Sequence, residues 1–370
     1  MSASFWTKPI VEGCYMIGRR NPTSLLQCNT YLRSYERSGK SPIHWCVDPG
    51  SQIDYPEVRQ HLLEHIGEMK ALRMFSINHQ DPDVVGNLTF LTQENDRLVG
   101  VATEDVWRLV RHLNVHPGHL YFANKTRDNL IKLPSGQRIQ VVPTPFCHFR
   151  GAMAFFDPES QVLFSGDLFG GLNAPGRVHL YGKEADWPGI AQFHQIYMPA
   201  RIAVAHAIQQ VRALRPRVKV IAPQHGFILR GAFMDQVLER LEQLPVGLDL
   251  LPGELDERFL ADYDEVLRVV LDEAIQELGQ SEVMRTLHTL PDDHELRECL
   301  ELAGDMVRLT RHGIRALPLL VDALSKDQSE DLRSLLKTKV LQGCMDRGAP
   351  LPQVGIGLEE IGEGSSISSF

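Results

Sequence analysis

Between about residue 15 and residue 222, short apolar runs alternate with stretches whose apolar positions recur at helical spacing. Residues 29–33 and 43–47 read as strands, the second closing on the turn sequence Asp48-Pro49-Gly50. Residues 56–69 place Val58, Leu62, Ile66 and Met69 on one helical face, and the apolar run 72–77 is a strand. Residues 86–98 and 104–113 suit helices. Residues 139–143 form a further strand, and 154–156 with 161–165 make a hairpin about Asp157-Pro158. Residues 202–214 are amphipathic through Val204, Ile208 and Val211, Pro216 stops them, and 218–222 are the last strand. Strands alternating with helices predict an α/β fold.

Past Leu251-Pro252-Gly253 the pattern becomes helical only. Leu267, Leu271, Ala274 and Leu278 share one face, residues 332–341 carry another apolar stripe, and Ser281, Ser325 and Ser329 suit helix caps. An all-α C-terminal extension is therefore expected over 251–350, with packing, dimerisation or signalling as its role. Residues 351–370, rich in Gly, Ser and Glu with little to bury, read as a disordered tail.

Polar residues able to hold a metal cluster where the apolar strands stop. His79, Asp81 and Asp83 alternate directly after the run 72–77, His148 follows the strand 139–143, Asp167 ends the hairpin, and His225 follows 218–222. Side chains at spacing two do not share a helical face, so a loop leaving a strand must wrap the first three around one point. A single histidine on an apolar segment is more often a core residue, but the same placement at four strand ends points to a site along one sheet edge. Three imidazoles and three carboxylates exceed the needs of one tetrahedral zinc and suffice for two metals if a carboxylate bridges.

The ordered series His79-x-Asp81-x-Asp83, His148, Asp167 in Phe164-Ser165-Gly166-Asp167, and His225 in Ala222-Pro223-Gln224-His225-Gly226 resembles the metallo-β-lactamase superfamily over roughly residues 10–245. The resemblance implies an αββα sandwich over residues 1–250. Zinc hydrolases of that superfamily usually read H-x-H-x-D-H in the first motif, whereas this chain has Asp81 at the third place and Val84 at the sixth. It looks closer to the flavodiiron branch and its oxygen-binding di-iron relatives, which carry a carboxylate at the third place. Replacing histidine by carboxylate makes a harder, more anionic site, suited to iron. By that resemblance His79, Asp81 and His148 would hold one iron, Asp83 and His225 the other, and Asp167 would bridge them. Two features depart from the flavodiiron pattern: Asp81 stands where Glu is typical, and residues 252–370 show neither strand-helix alternation nor a Gly-rich phosphate loop of a flavodoxin domain.

The expected function is a non-heme di-iron protein that binds O2 or NO, as a sensor or as an oxidoreductase fed by an external redox donor. The alternative is a binuclear zinc or mixed-metal hydrolase of esters, thioesters or phosphodiesters. Tyr197 and His194, in residues 187–199, are candidates to stand behind the ligands, and Phe146, Phe149 and Phe169 are candidates to keep the pocket dry.

The net charge of -9 and the lack of any purely basic run speak against nucleic-acid binding. Phe5-Trp6-Thr7-Lys8-Pro9 breaks any leader-like apolar stretch, and nowhere do about 18 apolar residues run together, so no membrane span is expected and the location expected is cytoplasmic. The six cysteines lack a C-x-x-C pair and read as reduced, mostly buried thiols, Cys147 included. A homo-oligomer, with the dimer as default, is the expected assembly.

Overall fold

A computed structural model of the chain describes residues 5–22, 24–174, 176–250, 259–326 and 328–352. The chain divides into two compact units, Met1–Asp249 and Leu250–Phe370.

The first unit holds two six-stranded sheets face to face. One comprises β1 (Cys14–Met16), β2 (Tyr31–Arg37), β3 (Lys40–Val47), β4 (Leu72–Ser76), β5 (Val99–Ala102) and β6 (His119–Phe122), in that spatial order. The other comprises β7 (Leu130–Lys132), β8 (Arg138–Pro143), β9 (Met153–Asp157), β10 (Val162–Gly166), β11 (Val220–Pro223) and β12 (Leu229–Arg230). Strands β3 to β6 run parallel, as do β10 and β11. Every residue of β9 and β10 is buried, which explains their unbroken apolar character: a strand covered on both faces has no reason to alternate.

Between the sheets lies a core built on Tyr31, Trp45, Met74, Phe155 and Phe164. The indole of Trp45 meets Phe155 and Phe164 edge-on, and its N–H donates to Ser76 Oγ at 2.8 Å, so its polar atom is satisfied inside the core. Arg33 on β2 reaches Asp157 on β9 at 2.7 Å with both side chains buried, tying one sheet to the other. On the outer face of the first sheet, α1 (Tyr55–Ile66), α3 (Leu88–Glu94) and α4 (Glu104–Val110) pack Val58, Leu62, Leu88, Leu91 and Val106 against Leu32, Cys46 and Phe75, with the single turn α2 (Pro82–Val85) leading into α3. The second sheet is flanked by α6 (Arg201–Ala213) over β8 and α7 (Gly231–Gln243) over β11 and β12. The helix α5 (Trp187–Tyr197) precedes them. The result is an αββα sandwich.

Several boundaries differ from the sequence pattern for local reasons. The helix expected over 56–69 ends at Gly67, which takes φ 78°, and Met69 falls in a separate short turn. The helix expected over 86–98 is shorter: only α3, Leu88–Glu94, forms within it, the turn α2 having ended at Val85, and it stops at Asn95, whose side-chain amide donates to the carbonyls of Met69 and Leu72.

In the second unit α8 (Leu260–Leu278) buries Val266, Leu267, Val270, Leu271 and Ala274, and packs with α9 (Gln280–His288), α11 (Gly313–Ser325) and α12 (Glu330–Arg347). It is not wholly helical: after the short α10 (Glu295–Cys299) come β13 (Leu300–Ala303) and β14 (Met306–Leu309), a hairpin turning at Gly304-Asp305. The cause is a period of two, with Leu300, Leu302, Val307 and Leu309 on the less exposed face, and Gly304 at φ 61°. Of the three expected caps, Ser329 accepts from Leu332 N, whereas Ser281 lies inside α9 and Ser325 ends α11, donating to Val321 O. The expected disordered tail lies, from residue 353 onward, outside the described residues. No described helix is long and apolar enough to cross a membrane.

Candidate metal centre

The loop after β4 is pinned before it delivers its side chains. The Asn78 N–H donates to Asp48 Oδ1 at 2.9 Å, and its side-chain amide donates to Phe164 O at 3.2 Å. Burial pushes the Asp48 carboxyl up to about 8 against that N–H, which marks how enclosed this corner is. Gly166 takes φ 62°, and a Cβ there would stand 2.8 Å from Asn78 Cβ, so only glycine lets β10 end this close to the loop and aim Asp167 inward.

Asp81 caps α2 with its backbone alone. Its carbonyl accepts from Val84 N and Val85 N at 2.9 and 3.0 Å, while its side chain makes no capping bond and faces the site instead. Pro82 opens that turn, as proline does where an N–H would be unpaired anyway. Asp83 follows within the turn, and its carbonyl accepts from Gln224 Nε2 at 3.1 Å. His225 donates from Nδ1 to Gln27 O at 2.9 Å, which leaves Nε2 to face the carboxylates.

All six residues singled out in the sequence come together. Asp167 stands in the middle: Oδ1 lies 3.5 Å from His79 Nε2 and 3.4 Å from His225 Nε2, and Oδ2 lies 3.3 Å from His148 Nε2. Asp81 Oδ2 is 3.1 Å from His148 Nε2 and 3.7 Å from His79 Nε2, and Asp83 Oδ2 is 3.2 Å from His225 Nε2. Two groups of ligand atoms result, His79 with Asp81 and His148, and Cys28 with Asp83 and His225, each within 4.8 Å of one another.

Electrostatics shows what this packing lacks. Burial alone would raise Asp167, but the imidazoles of His79, His225 and His148 outweigh it and hold its carboxyl well below the usual range. Burial alone would lower His225, but Asp167 and Asp83 push it up to about 10. Among the described residues His79 Nε2 and Asp167 Oδ1 are buried without a hydrogen-bond partner. Buried polar atoms are rarely left unpaired, and a cation between them would satisfy both. The residues therefore fit a pair of metal ions sharing Asp167.

The surroundings revise the expected supporting cast. Tyr197 belongs here, with its ring centre 6.4 Å from that of His148 and 4.6 Å from that of Phe193. His194 stands behind the centre: Nδ1 donates to Ile190 O, Nε2 accepts from Phe169 N, and burial lowers its pKa to about 4. Phe169 is fully buried, whereas Phe146 is 51% exposed and Phe149 packs on the helix-side core. Phe193, not singled out from the sequence, packs beside the centre, with its ring centre 5.1 Å from that of His225. Cys147 is a buried thiol pushed up to about 12 by burial, a core residue. Cys28, Gln27, Gln224 and Asp48 were also missed; their only sequence signal is that Cys28 lies among polar residues before a strand and Asp48 at a strand end.

Residues 26–226 match the profile of the "ODP family beta lactamase". Diflavin flavoprotein A 1 of Synechocystis sp. is 26% identical over 174 residues, covering 46% of this chain and 29% of that protein. The chain thus spans well under two thirds of that relative's length. Among solved structures, the peroxy diiron species of chemotaxis sensor ODP has a TM-score of 0.53 at 23% identity, covering 65% of this chain and 94% of that one. Rubredoxin oxygen:oxidoreductase from Desulfovibrio gigas has a TM-score of 0.57 at 15% identity, covering 72% and 69%. The sandwich is accordingly the metallo-β-lactamase fold, and with more than half its length matched the chain belongs to the ODP family of beta lactamases.

Proposed function

We propose that this protein is a non-heme di-iron protein that binds O2, with NO as a second diatomic ligand. The observation carrying this is Asp167, whose two oxygens lie within 3.5 Å of His79, His148 and His225, between two further carboxylates. His79, Asp81 and His148 would hold one iron, Asp83 and His225 the other, and Asp167 would bridge. Three anionic ligands to three imidazoles make a hard set that favours iron over the zinc of the hydrolase alternative. The similar fold of the peroxy diiron species of chemotaxis sensor ODP supports the same choice.

Reduced iron supplies the electrons for O2 chemistry, and the protein supplies position and dryness. Phe193 and Tyr197, on one helix, limit water at the His225 and His148 side. Among the described residues the second unit has helices and one hairpin, not a parallel sheet suited to a flavin. Sustained reduction would draw on a redox donor outside these two units, and sensing, with the second unit as output or dimerisation module, is the preferred role. The test is the visible spectrum of reduced, iron-loaded protein before and after O2: a new absorption band is expected, and an unchanged spectrum contradicts the proposal.

A further inference from the structure

Cys28 differs from the other five cysteines: they are buried, whereas Cys28 is partly accessible and lies beside the metal centre. Its position is set by backbone. Cys28 and His225 form an antiparallel bridge, Asn29 N donates to Gln224 O at 2.6 Å, and His225 Nδ1 donates to Gln27 O at 2.9 Å. The two segments are thus zipped together on both sides of the thiol, and Sγ lies 3.9 Å from Asp83 Oδ2.

We propose that Cys28 is a sulfur ligand of the metal held by Asp83 and His225. The three ligand atoms lie within 4.8 Å of one another, and two of the separations, 3.9 Å from Cys28 Sγ to Asp83 Oδ2 and 3.2 Å from Asp83 Oδ2 to His225 Nε2, are short enough for bonds of about 2.0–2.3 Å to one shared ion. The buried Asp167 Oδ1, an acceptor without a hydrogen bond that lies 3.4 Å from His225 Nε2, points to an ion at the same place. Without metal the thiol donates to Asp83; on binding, the S–H proton leaves to solvent and the sulfur lone pair replaces it with a bond to the ion. The two subsites then differ in kind. One is all nitrogen and oxygen, and the other includes a soft donor, which selects Fe(II), Co(II) or Zn(II) over Mg(II) or Ca(II).

Coordination by Cys28 rests on the two-metal centre proposed above, and a cobalt(II) titration of anaerobic, metal-free protein separates the two. Uptake of about two cobalt ions per chain with a near-ultraviolet sulfur-to-cobalt band is expected. Cys28→Ser and Cys28→Ala are expected to lose that band while keeping visible cobalt absorption, with cobalt affinity of one subsite weakened by at least about tenfold. Two bound cobalt ions without the band, or the same band in both variants, would overturn the sulfur ligand and leave the centre standing. No cobalt uptake would overturn both. Should the variants fail to fold, alkylation of wild-type Cys28 read by peptide mass decides: cobalt is expected to slow it at least about tenfold, and equal rates would refute coordination.

Discussion

Asp167 Oδ1 and His225 Nε2 lie 3.4 Å apart, although one leaves the end of β10 and the other the end of β11, and each is almost wholly buried. The parallel pairing of those strands, with Gln224 N donating to Gly166 O at 2.8 Å, brings the two ends into step.

Asp167→Asn keeps the shape and removes the charge shared by three imidazoles. Both metals are expected to weaken, by at least about 100-fold for the pair, because a shared ligand serves both. Elemental analysis after dialysis checks this, and a thermal melt of the metal-free variant should show that the fold survives.

Asp81→Ala and Asp83→Ala should each remove one metal and not the same one. Asp81 faces His148, whereas Asp83 faces His225. Metal content near half of wild type is expected for both, and the spectra of the two half-loaded proteins should differ.

Metal loading should depend on pH in a defined direction. In the metal-free protein His225 is pushed from 6.5 to about 10, so its imidazole is protonated at neutral pH and must lose that proton to bind. Affinity is expected to rise with pH up to about 10, with proton release visible by calorimetry in buffers of different ionisation enthalpy. Stability of the metal-free protein should move oppositely. A raised folded pKa means the stabilisation is complete below 6.5 and is lost as pH rises through about 10.

His194 should matter for stability and not as a ligand. His194→Phe leaves the buried Phe169 N–H without its acceptor, at a cost of about 1–3 kcal/mol, with metal content retained. The wild-type imidazole, lowered from 6.5 to about 4, stays neutral when folded while the unfolded chain takes up a proton. Its contribution to stability therefore falls as pH drops from 6.5 to about 4, and the variant should lack that component of the acid melt.

The strand ends were legible in the sequence because fully buried strands leave unbroken apolar runs, and the residue after each run is where polar chemistry resumes. β9 and β10 are the clear case. By contrast β6 gave no such signal, since His119 and Tyr121 face solvent on an edge strand. β5 was hidden by Gly100, whose missing Cβ makes room for the Phe75 ring: a Cβ there would stand 2.6 Å from Phe75 Cζ. The C-terminal hairpin was hidden because the neighbouring helical stripes dominate that stretch. Cys28 and Phe193 were illegible for another reason: their partner His225 lies far along the chain, and no local pattern encodes a contact made by tertiary packing.

The most direct test is the iron and zinc content of protein purified without oxygen. About two irons per chain, with zinc at trace level, is the predicted result. Stoichiometric zinc without iron would contradict the di-iron centre.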